Sequence, residues 1–307
     1  MDKTNNMKMD RKVKMKRRIK KLLSNRAEKV NRTKSGNAVM FFFVGIFAAF
    51  SVLPLILAIG FSLKPLNELF VYPPTLWPRN PTLENFTMLF NLMTTTWVPF
   101  SRYIFNTVFI TVMSIIGHVI FASMAAYPLA KHRFPGQKFI NEVITMSLMF
   151  VPTVNDVANY LTMSALGWID NYLAIIVPAI GSTLGLFLMR NYMSASIPDS
   201  LLESARIDGA GEFTIFWKIV MPIVKPAWLT LIILMFQSVW NGQHSTYIYS
   251  EEMKTLPYAL SQIVSGGIIR RGAGQAVSII MMLVPCTVFI INQSKILETM
   301  ASSGMKE

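Results

Sequence analysis

The chain has 307 residues, of which 52% are hydrophobic and only 15% are charged. Soluble globular proteins carry roughly 25% charged residues, so the composition excludes an ordinary soluble domain and favours an integral membrane protein. Lys and Arg outnumber Asp and Glu by 29 to 16, but residues 1–34 hold 14 of the basic and 3 of the acidic residues. The excess positive charge therefore belongs to one tail and does not indicate a nucleic-acid-binding domain.

Residues 1–37 are predicted to form a basic cytoplasmic tail ahead of a transmembrane domain at 38–307. From Ile19 onward, apolar residues recur at helical spacing among the basic ones, which predicts a basic amphipathic helix. Two interpretations stay open. The helix lies on anionic membrane lipids, at about 1 kcal/mol per basic residue, or the tail is disordered and only orients the chain. In either case the positive-inside rule places the N-terminus in the cytoplasm.

Six apolar runs follow, and each is long enough, at about twenty residues, to cross a bilayer as a helix. Because the bilayer gives backbone groups no water to bond, the predicted fold class is all-α. The first run is too long for a signal peptide and no cleavage site is evident after it, so we expect it to be retained. Basic residues in the turns at 131–138 and 190 predict that both termini are cytoplasmic. The predicted spans are residues 39–63, 103–129, 139–163, 172–189, 227–249 and 276–297.

Between the fourth and fifth spans, residues 191–226 form a polar segment that is interrupted by glycine. Ser196-Ile-Pro-Asp199 has the S-x-x-D form of a helix start, which predicts a short helix with Ser196 at its N-cap. Gly209 offers the left-handed backbone that ends a helix at low cost. We expect that the apolar side of this helix, formed by Leu201, Leu202 and Ala205, cannot be buried within its own chain.

This polar segment resembles the EAA signature of ABC-importer permeases, E-A-A-x-x-D-G-A followed at fixed spacing by Phe, Pro and Pro. Ser204 replaces the usual second Ala, one small residue for another. The resemblance implies that the segment is a coupling helix in a cleft of a separate ATPase subunit, where Glu203 pairs with a basic residue. The matching residues are Glu203, Ala205, Asp208, Gly209, Ala210, Phe216, Pro222 and Pro226.

Further matches indicate the branch of the family that imports carbohydrates, typified by maltose uptake. They are Asn106-Thr107, Ala125–Ala130, Arg133–Gly136 and Trp240-Asn241. The resemblance implies a type I ABC importer permease fold with six transmembrane helices, in the bacterial cytoplasmic membrane. It implies as partners a second homologous permease, an ATPase dimer that carries ATP-Mg, an extracytoplasmic solute-binding protein, and an oligosaccharide as substrate.

The sequence contains no catalytic constellation, so we predict that the chain is not an enzyme. It lacks G-x-x-x-x-G-K-[ST], the loop that cradles ATP phosphates, and its only cysteine, Cys286, excludes a cysteine-based metal site. His118, His132 and His244 are far apart and are not spaced for metal binding. We expect His118 to be a hydrogen-bonding residue inside the helix bundle rather than a substrate contact. Metal sites and bound cofactors are not predicted.

Polar residues within two spans are the candidates for a substrate path. Those in the third span stand one helical turn apart in pairs, where the resemblance implies apolar residues. Carboxylate and amide groups suit sugar hydroxyls, and an aromatic ring suits a sugar face, but polar residues also hold membrane helices together. Both interpretations stay open for each residue. The candidates are Asn155, Asp156, Asn159, Tyr160, Gln237, Trp240 and Asn241.

Three other functions compete with a carbohydrate importer. An ion-coupled secondary transporter without an ATPase would explain Asp156 in a span, but it leaves the segment at 191–226 unexplained. An ABC permease for a solute other than a sugar would share the same coupling segment. A membrane anchor or sensor would not need the polar residues within the third and fifth spans.

Overall fold

The computed structural model describes residues 34–73, 75–94, 97–149, 152–267 and 270–303. It describes the side chains of the same residues except 34–35, 152–155 and 291–303. The predicted amphipathic helix of the basic tail lies outside the described residues. Every regular element within the described ranges is helical, which agrees with the predicted all-α fold class.

We number the helices in chain order. They are α1 (Lys34–Ser62), α2 (Leu66–Leu69), α3 (Glu84–Thr94), α4 (Phe100–Lys131), α5 (Gln137–Ser147), α6 (Pro152–Ala165), α7 (Leu173–Ile180), α8 (Thr183–Ser196), α9 (Asp199–Ile207), α10 (Glu212–Ile215), α11 (Met221–Ile223), α12 (Lys225–Trp240), α13 (Leu256–Val264) and α14 (Arg271–Ser303). A π-helical turn at Phe216–Val220 joins α10 to α11, and a 3-10 turn at Glu251–Met253 precedes α13.

The chain divides into two compact units, residues 1–57 and 58–307. The described part of the first unit belongs to α1, and its large apolar side chains are exposed on all sides, with Phe47 and Phe50 as examples. A helix that is apolar all round cannot be stable in water, so this surface fits lipid or another transmembrane helix. The second unit contains the remaining helices and the buried core.

Four helical segments are long and apolar enough to cross a membrane, by length and composition, within the described part of the chain. They are Gly36–Ser62, Phe100–Lys131, Leu173–Ser196 and Arg271–Ile290. A fifth is possible if the segment Glu212–Ile223 and α12 count as one span, although the two are bent by 76°. Helices therefore stand at the predicted first, second, fourth and sixth spans.

The predicted third and fifth spans are not continuous helices. The prediction of one helix over residues 139–163 is wrong, because α5 ends at Ser147 and α6 begins at Pro152. Proline has no amide hydrogen to donate and disfavours a helical residue before it, so it suits a helix start better than a helix interior. The helix predicted over 227–249 ends at Trp240, directly before Asn241 and Gly242.

Helix α4 is the centre of the second unit, because α7, α8, α12 and α13 all pack against it. The buried face of α4 is lined by small and polar side chains, which allow neighbouring helices to approach closely. A Cβ atom on Gly185 of α8 would stand 1.8 Å from His118 Nε2, so only glycine fits at that position. The buried polar residues of α4 are Asn106, Thr107, Thr111, Ser114, His118 and Ser123.

His118 is fully buried in the helix bundle, as predicted for a bundle-interior residue. Its Nδ1 lies 2.9 Å from the carbonyl oxygen of Ile180, at the end of α7. At the N-terminal end of α4, the Asn106 amide donates to the carbonyls of Glu252, at 2.7 Å, and Lys254, at 2.9 Å. Polar side chains thus hold both α7 and the segment before α13 on α4.

The orientation of the chain in the membrane can be tested by labelling. We expect single cysteines at Ser35 and Ser302, in a Cys286→Ser background, to react with a membrane-impermeant thiol reagent only from the cytoplasmic side. A cysteine at the exposed Ser265 should react only from outside, because the basic tail and turns stay in the cytoplasm. Labelling at position 302 from outside would contradict the span count.

Candidate functional site

Helix α9 is the short helix that the sequence predicts after the fourth span. It begins at Asp199, and its N-cap is Pro198, whose backbone is extended at φ −67° and ψ 135°; no side chain caps the helix. The expectation of Ser196 at the N-cap is wrong, because Ser196 is the last residue of α8. Proline at the boundary separates the two helices, since it lacks the amide hydrogen that a continuous helix would need.

The other end of α9 is closed by glycine, as predicted. Gly209 has a φ of 82°, in the left-handed region where a side chain is disfavoured. The amide of Gly209 donates to the carbonyl of Arg206, and that of Ala210 donates to the carbonyl of Ala205, each at 3.0 Å. This pair of bonds is a Schellman motif, which satisfies the last carbonyls of α9 and turns the chain sharply.

The two sides of α9 differ in what covers them. Leu202 and Ala205 are buried against residues of α8 and the π-helical turn, in one core cluster that includes Met193 and Phe216. The expectation that this apolar side stays uncovered within the chain is therefore wrong for Leu202 and Ala205, whereas Leu201 remains exposed. The folded-back segment at 212–220 supplies the cover, and the sequence pattern of α9 alone gives no sign of it.

The opposite side of α9 and the turn after it are exposed. Glu203 and Asp208 are exposed, and Ile207 keeps 86% of its surface accessible. After this turn, the aromatic residues Phe213 and Trp217 are also exposed, and their ring centroids lie 6.3 Å apart. Carboxylates beside exposed large apolar side chains are typical of a surface that docks on another protein.

Glu212, the first residue of α10, is the centre of an ionic cluster. Its Oε1 accepts a hydrogen bond from Arg206 Nε of α9 at 2.7 Å. Its Oε2 accepts one from the Tyr127 hydroxyl of α4 at 2.9 Å and lies 3.3 Å from His132 Nε2. The carboxylate thus joins α9 to the C-terminal end of α4.

A second ion pair stands beside this cluster. Lys131 Nζ, at the end of α4, donates to Asp199 Oδ1 at 2.8 Å and to the carbonyl of Ser194 at 3.2 Å. The hydrogen bond and the charge of Lys131 lower the pKa of Asp199 below its usual value. The stability that this contact contributes is present at neutral pH and is lost as the pH falls through the lowered pKa.

The sequence analysis missed Glu212, Tyr127 and the contact roles of Lys131 and His132. The basic turn at 131–138 predicted only the orientation of the chain. Tyr127 and Glu212 are 85 positions apart, and no helical or strand period relates residues at that distance. The one available signal is Glu212 itself, an acidic residue in an otherwise apolar stretch.

The remaining residues of the motif are one aromatic residue and two prolines. Phe216 is buried, with its ring centroid 5.8 Å from that of Tyr127. Pro222 lies in α11, and Pro226 lies in the first turn of α12. The two prolines stand on either side of the 76° bend before α12. Proline is tolerated in the first turn of a helix but interrupts a helix when it lies in the interior. Both positions, at the bend and at the start of α12, therefore suit it.

The predicted substrate-path residues of α6 approach the loop after α12. The side chain of Asn155 lies outside the described residues. Asp156 is exposed, whereas Asn159 and Tyr160 are half-buried. Tyr160 is the main cause of a raised pKa at Tyr249, and burial together with the negative charge of Asp156 raises the pKa of Tyr247.

The candidates at the end of α12 do not share one surface. Gln237 is exposed and lines an apolar cavity of about 560 Å³ between α12 and α14. Asn241 lines a different cavity, of about 520 Å³, together with residues of α13 and α14. Trp240 is only 4% exposed and stacks on Phe236, with ring centroids 5.5 Å apart. The structure therefore places Trp240 in the packed interior and not at an open cavity.

Comparisons with known proteins agree on one family. Residues 37–300 match the family model described as "Binding-protein-dependent transport system inner membrane component". The arabinooligosaccharides transport system permease protein AraQ of Halalkalibacterium halodurans is 31% identical over 73% of this chain and 79% of its own length. The inner membrane ABC transporter permease protein YcjP of Escherichia coli is 27% identical over 86% of this chain and 94% of its own.

A solved structure has the same fold. It is a chain from the crystal structure of a bacterial ABC transporter involved in the import of the acidic polysaccharide alginate. The TM-score is 0.70 at 24% sequence identity, and the match covers 86% of this chain and 98% of that chain. At this identity the likeness concerns the fold alone.

The burial of Trp240 generates a test that needs no assumption about activity. Trp240→Ala removes a buried aromatic side chain, which typically costs about 3–5 kcal/mol. We expect a clear loss of thermal stability of the detergent-solubilised protein. Gln237→Ala, three residues earlier in α12 but exposed, is the matched control and should change stability little. Equal melting of the two variants would contradict the packed position of Trp240.

Proposed function

The chain belongs to the family of binding-protein-dependent transport system inner membrane components, and from this premise we propose that it is one of two permease subunits of an ATP-driven sugar importer. It is a multi-pass protein of the cytoplasmic membrane. The other subunits are a second, homologous permease, an ATPase dimer and an extracytoplasmic solute-binding protein. An ion-coupled secondary transporter is not favoured, because it explains neither the family match nor α9.

The substrate class rests on the relatives. AraQ is named for arabinooligosaccharides, and the structural neighbour for the polysaccharide alginate. We propose a sugar or oligosaccharide as substrate on these grounds. The proposed path is formed by polar side chains at the outer part of the bundle, among which Asp156 and Tyr160 stand beside the loop at 247–249.

The observation that carries the coupling role is the exposed side of α9. Its inner side is already covered by its own chain, while Glu203, Ile207 and Asp208 remain exposed. We propose that this side docks in a cleft of the ATPase, where the Glu203 carboxylate meets a basic residue. The ATPase subunits bind ATP-Mg, since this sequence has no phosphate-binding loop. The chain itself is not the catalyst.

Six spans with both termini in the cytoplasm remain part of the proposal. The four long apolar helices and the bent pair formed by Glu212–Ile223 and α12 account for five of them. The sixth is formed by α5 and α6 together, which have 11 and 14 residues and would cross the bilayer as a broken span. Irregular backbone at membrane depth is tolerated where other helices or a water-filled cavity cover it.

The docking of α9 can be tested by charge reversal at Glu203. We expect Glu203→Lys to reduce uptake more than Glu203→Ala, because it sets two positive charges together in the cleft. Removing one member of a buried pair typically costs about 3–5 kcal/mol. Uptake, membrane abundance and ATPase copurification should be measured side by side. Normal uptake in Glu203→Lys with the ATPase still bound would exclude this contact.

The turn at Gly209 allows a second test of the proposed docking side of α9. Gly209→Val places a β-branched residue at a φ of 82°, a backbone conformation that such residues resist. We expect the variant to lose ATPase copurification while the spans remain folded. Gly211→Ala is the control, because Gly211 has a φ of −71° that alanine adopts freely. Full copurification in Gly209→Val would show that the turn is not needed for docking.

The substrate path is tested at Asp156, which is exposed and forms no part of the packed core. We expect Asp156→Ala to reduce uptake of the cognate sugar while complex assembly and ATP hydrolysis stay near normal. Asp156→Asn should retain more uptake, because an amide still bonds to hydroxyl groups. Unchanged uptake in both variants would favour a purely structural role for Asp156.

A further inference from the structure

We propose that Glu212 is a positioning residue that fastens α9 to the C-terminal end of α4, so that α4 follows a displacement of α9. The inference rests on the proposed function, because it names the contact through which movement of the docking helix enters the bundle. It concerns a residue that makes no part of the exposed docking side described above.

The geometry of the carboxylate carries the inference. Its two oxygens face different helices: Oε1 bonds to Arg206 of α9, at 2.7 Å, and Oε2 bonds to Tyr127 of α4, at 2.9 Å. His132, directly after α4, lies 3.3 Å from Oε2 and 3.5 Å from Arg206 Nη2. A bridging carboxylate of this kind holds both helices at a fixed angle as well as a fixed distance.

The backbone alone does not fix that angle. Two glycines, Gly209 and Gly211, separate α9 from α10, and Gly209 is already in the left-handed region. The core contacts of Leu202 and Ala205 hold α9 close to the bundle, but apolar contacts are non-directional and allow sliding. The bonds to Glu212 supply the direction that the apolar contacts lack.

Helix α4 is the element through which a displacement would spread. It contacts α7, α8, α12 and α13, so a shift of its C-terminal end reaches four other helices. The side chains of Arg206 and Glu212 are 40% and 49% exposed, so solvent screens their charges. The contribution of the cluster is therefore one of alignment more than of stability.

The test compares Glu212→Ala and Glu212→Gln in membranes that hold the complete importer. The measured quantity is sugar taken up per ATP hydrolysed, with the sugar-loaded binding protein present. We expect Glu212→Ala to lower this ratio roughly tenfold, and Glu212→Gln to lower it less, because an amide keeps one hydrogen bond. Abundance and ATPase copurification should stay near normal. The matched control is Glu142→Gln, an exposed carboxylate on α5 outside the cluster.

A double-mutant cycle tests the route through α4. Tyr127→Phe removes the hydroxyl donor and keeps the ring that packs near Phe216. If Glu212 acts through Tyr127, the double variant should lose little more than Glu212→Ala alone. Fully additive losses would overturn the route through Tyr127.

The outcomes separate this inference from the proposed function. A normal uptake-to-ATP ratio in Glu212→Ala, with the ATPase bound, would overturn the positioning role and leave the importer assignment intact. Reduced abundance with a normal ratio would overturn it as well, because the role would then be structural only. Failure of the unaltered chain to copurify with an ATPase would instead overturn the proposed function.

Discussion

The close packing on α4 is the constraint on which the rest of the second unit depends. Lipid tails are as apolar as a leucine side chain, so the burial of apolar surface contributes little to the association of membrane helices. Helix α4 instead offers small and polar side chains, and Gly185 lets α8 approach the ring of His118. Asn106 then ties the segment before α13 to the opposite end of α4. Size and hydrogen bonding, more than hydrophobicity, select the neighbours of this helix.

The long apolar helices could be predicted from the sequence because length and hydropathy are local properties. The breaks within the predicted third and fifth spans could not be located from the sequence. Pro152 begins a helix, whereas Pro54, Pro128 and Pro285 lie inside helices. The same residue type gives both outcomes, because neighbouring helices decide whether the lost hydrogen bond and the displaced carbonyl can be accommodated. That information is tertiary and does not appear in a single run of sequence.

The candidate site shows the same division. The end of α9 at Gly209 could be predicted, since a positive φ is a local demand that glycine meets. The cover over Leu202 and the carboxylate bridge of Glu212 could not, because they join segments far apart in the chain. Trp240 illustrates the converse error: an aromatic ring beside polar residues suggested a sugar contact, but its position on α12 turns it into the core.

The uncharged polar residues and the ion pairs of α4 occupy different parts of the helix. The buried face of α4 carries hydroxyls, an amide and an imidazole, none of which needs to be ionised. The ion pairs of Lys131 and Glu212 stand at the C-terminal end of α4, where water reaches both carboxylates, Asp199 and Glu212, although the side chain of Lys131 is largely buried. A charge at the bilayer centre would be expensive, whereas at the boundary the same charge costs little and still imposes direction. A contact that aligns two helices is therefore well placed at this end of α4, beside the exposed side of α9.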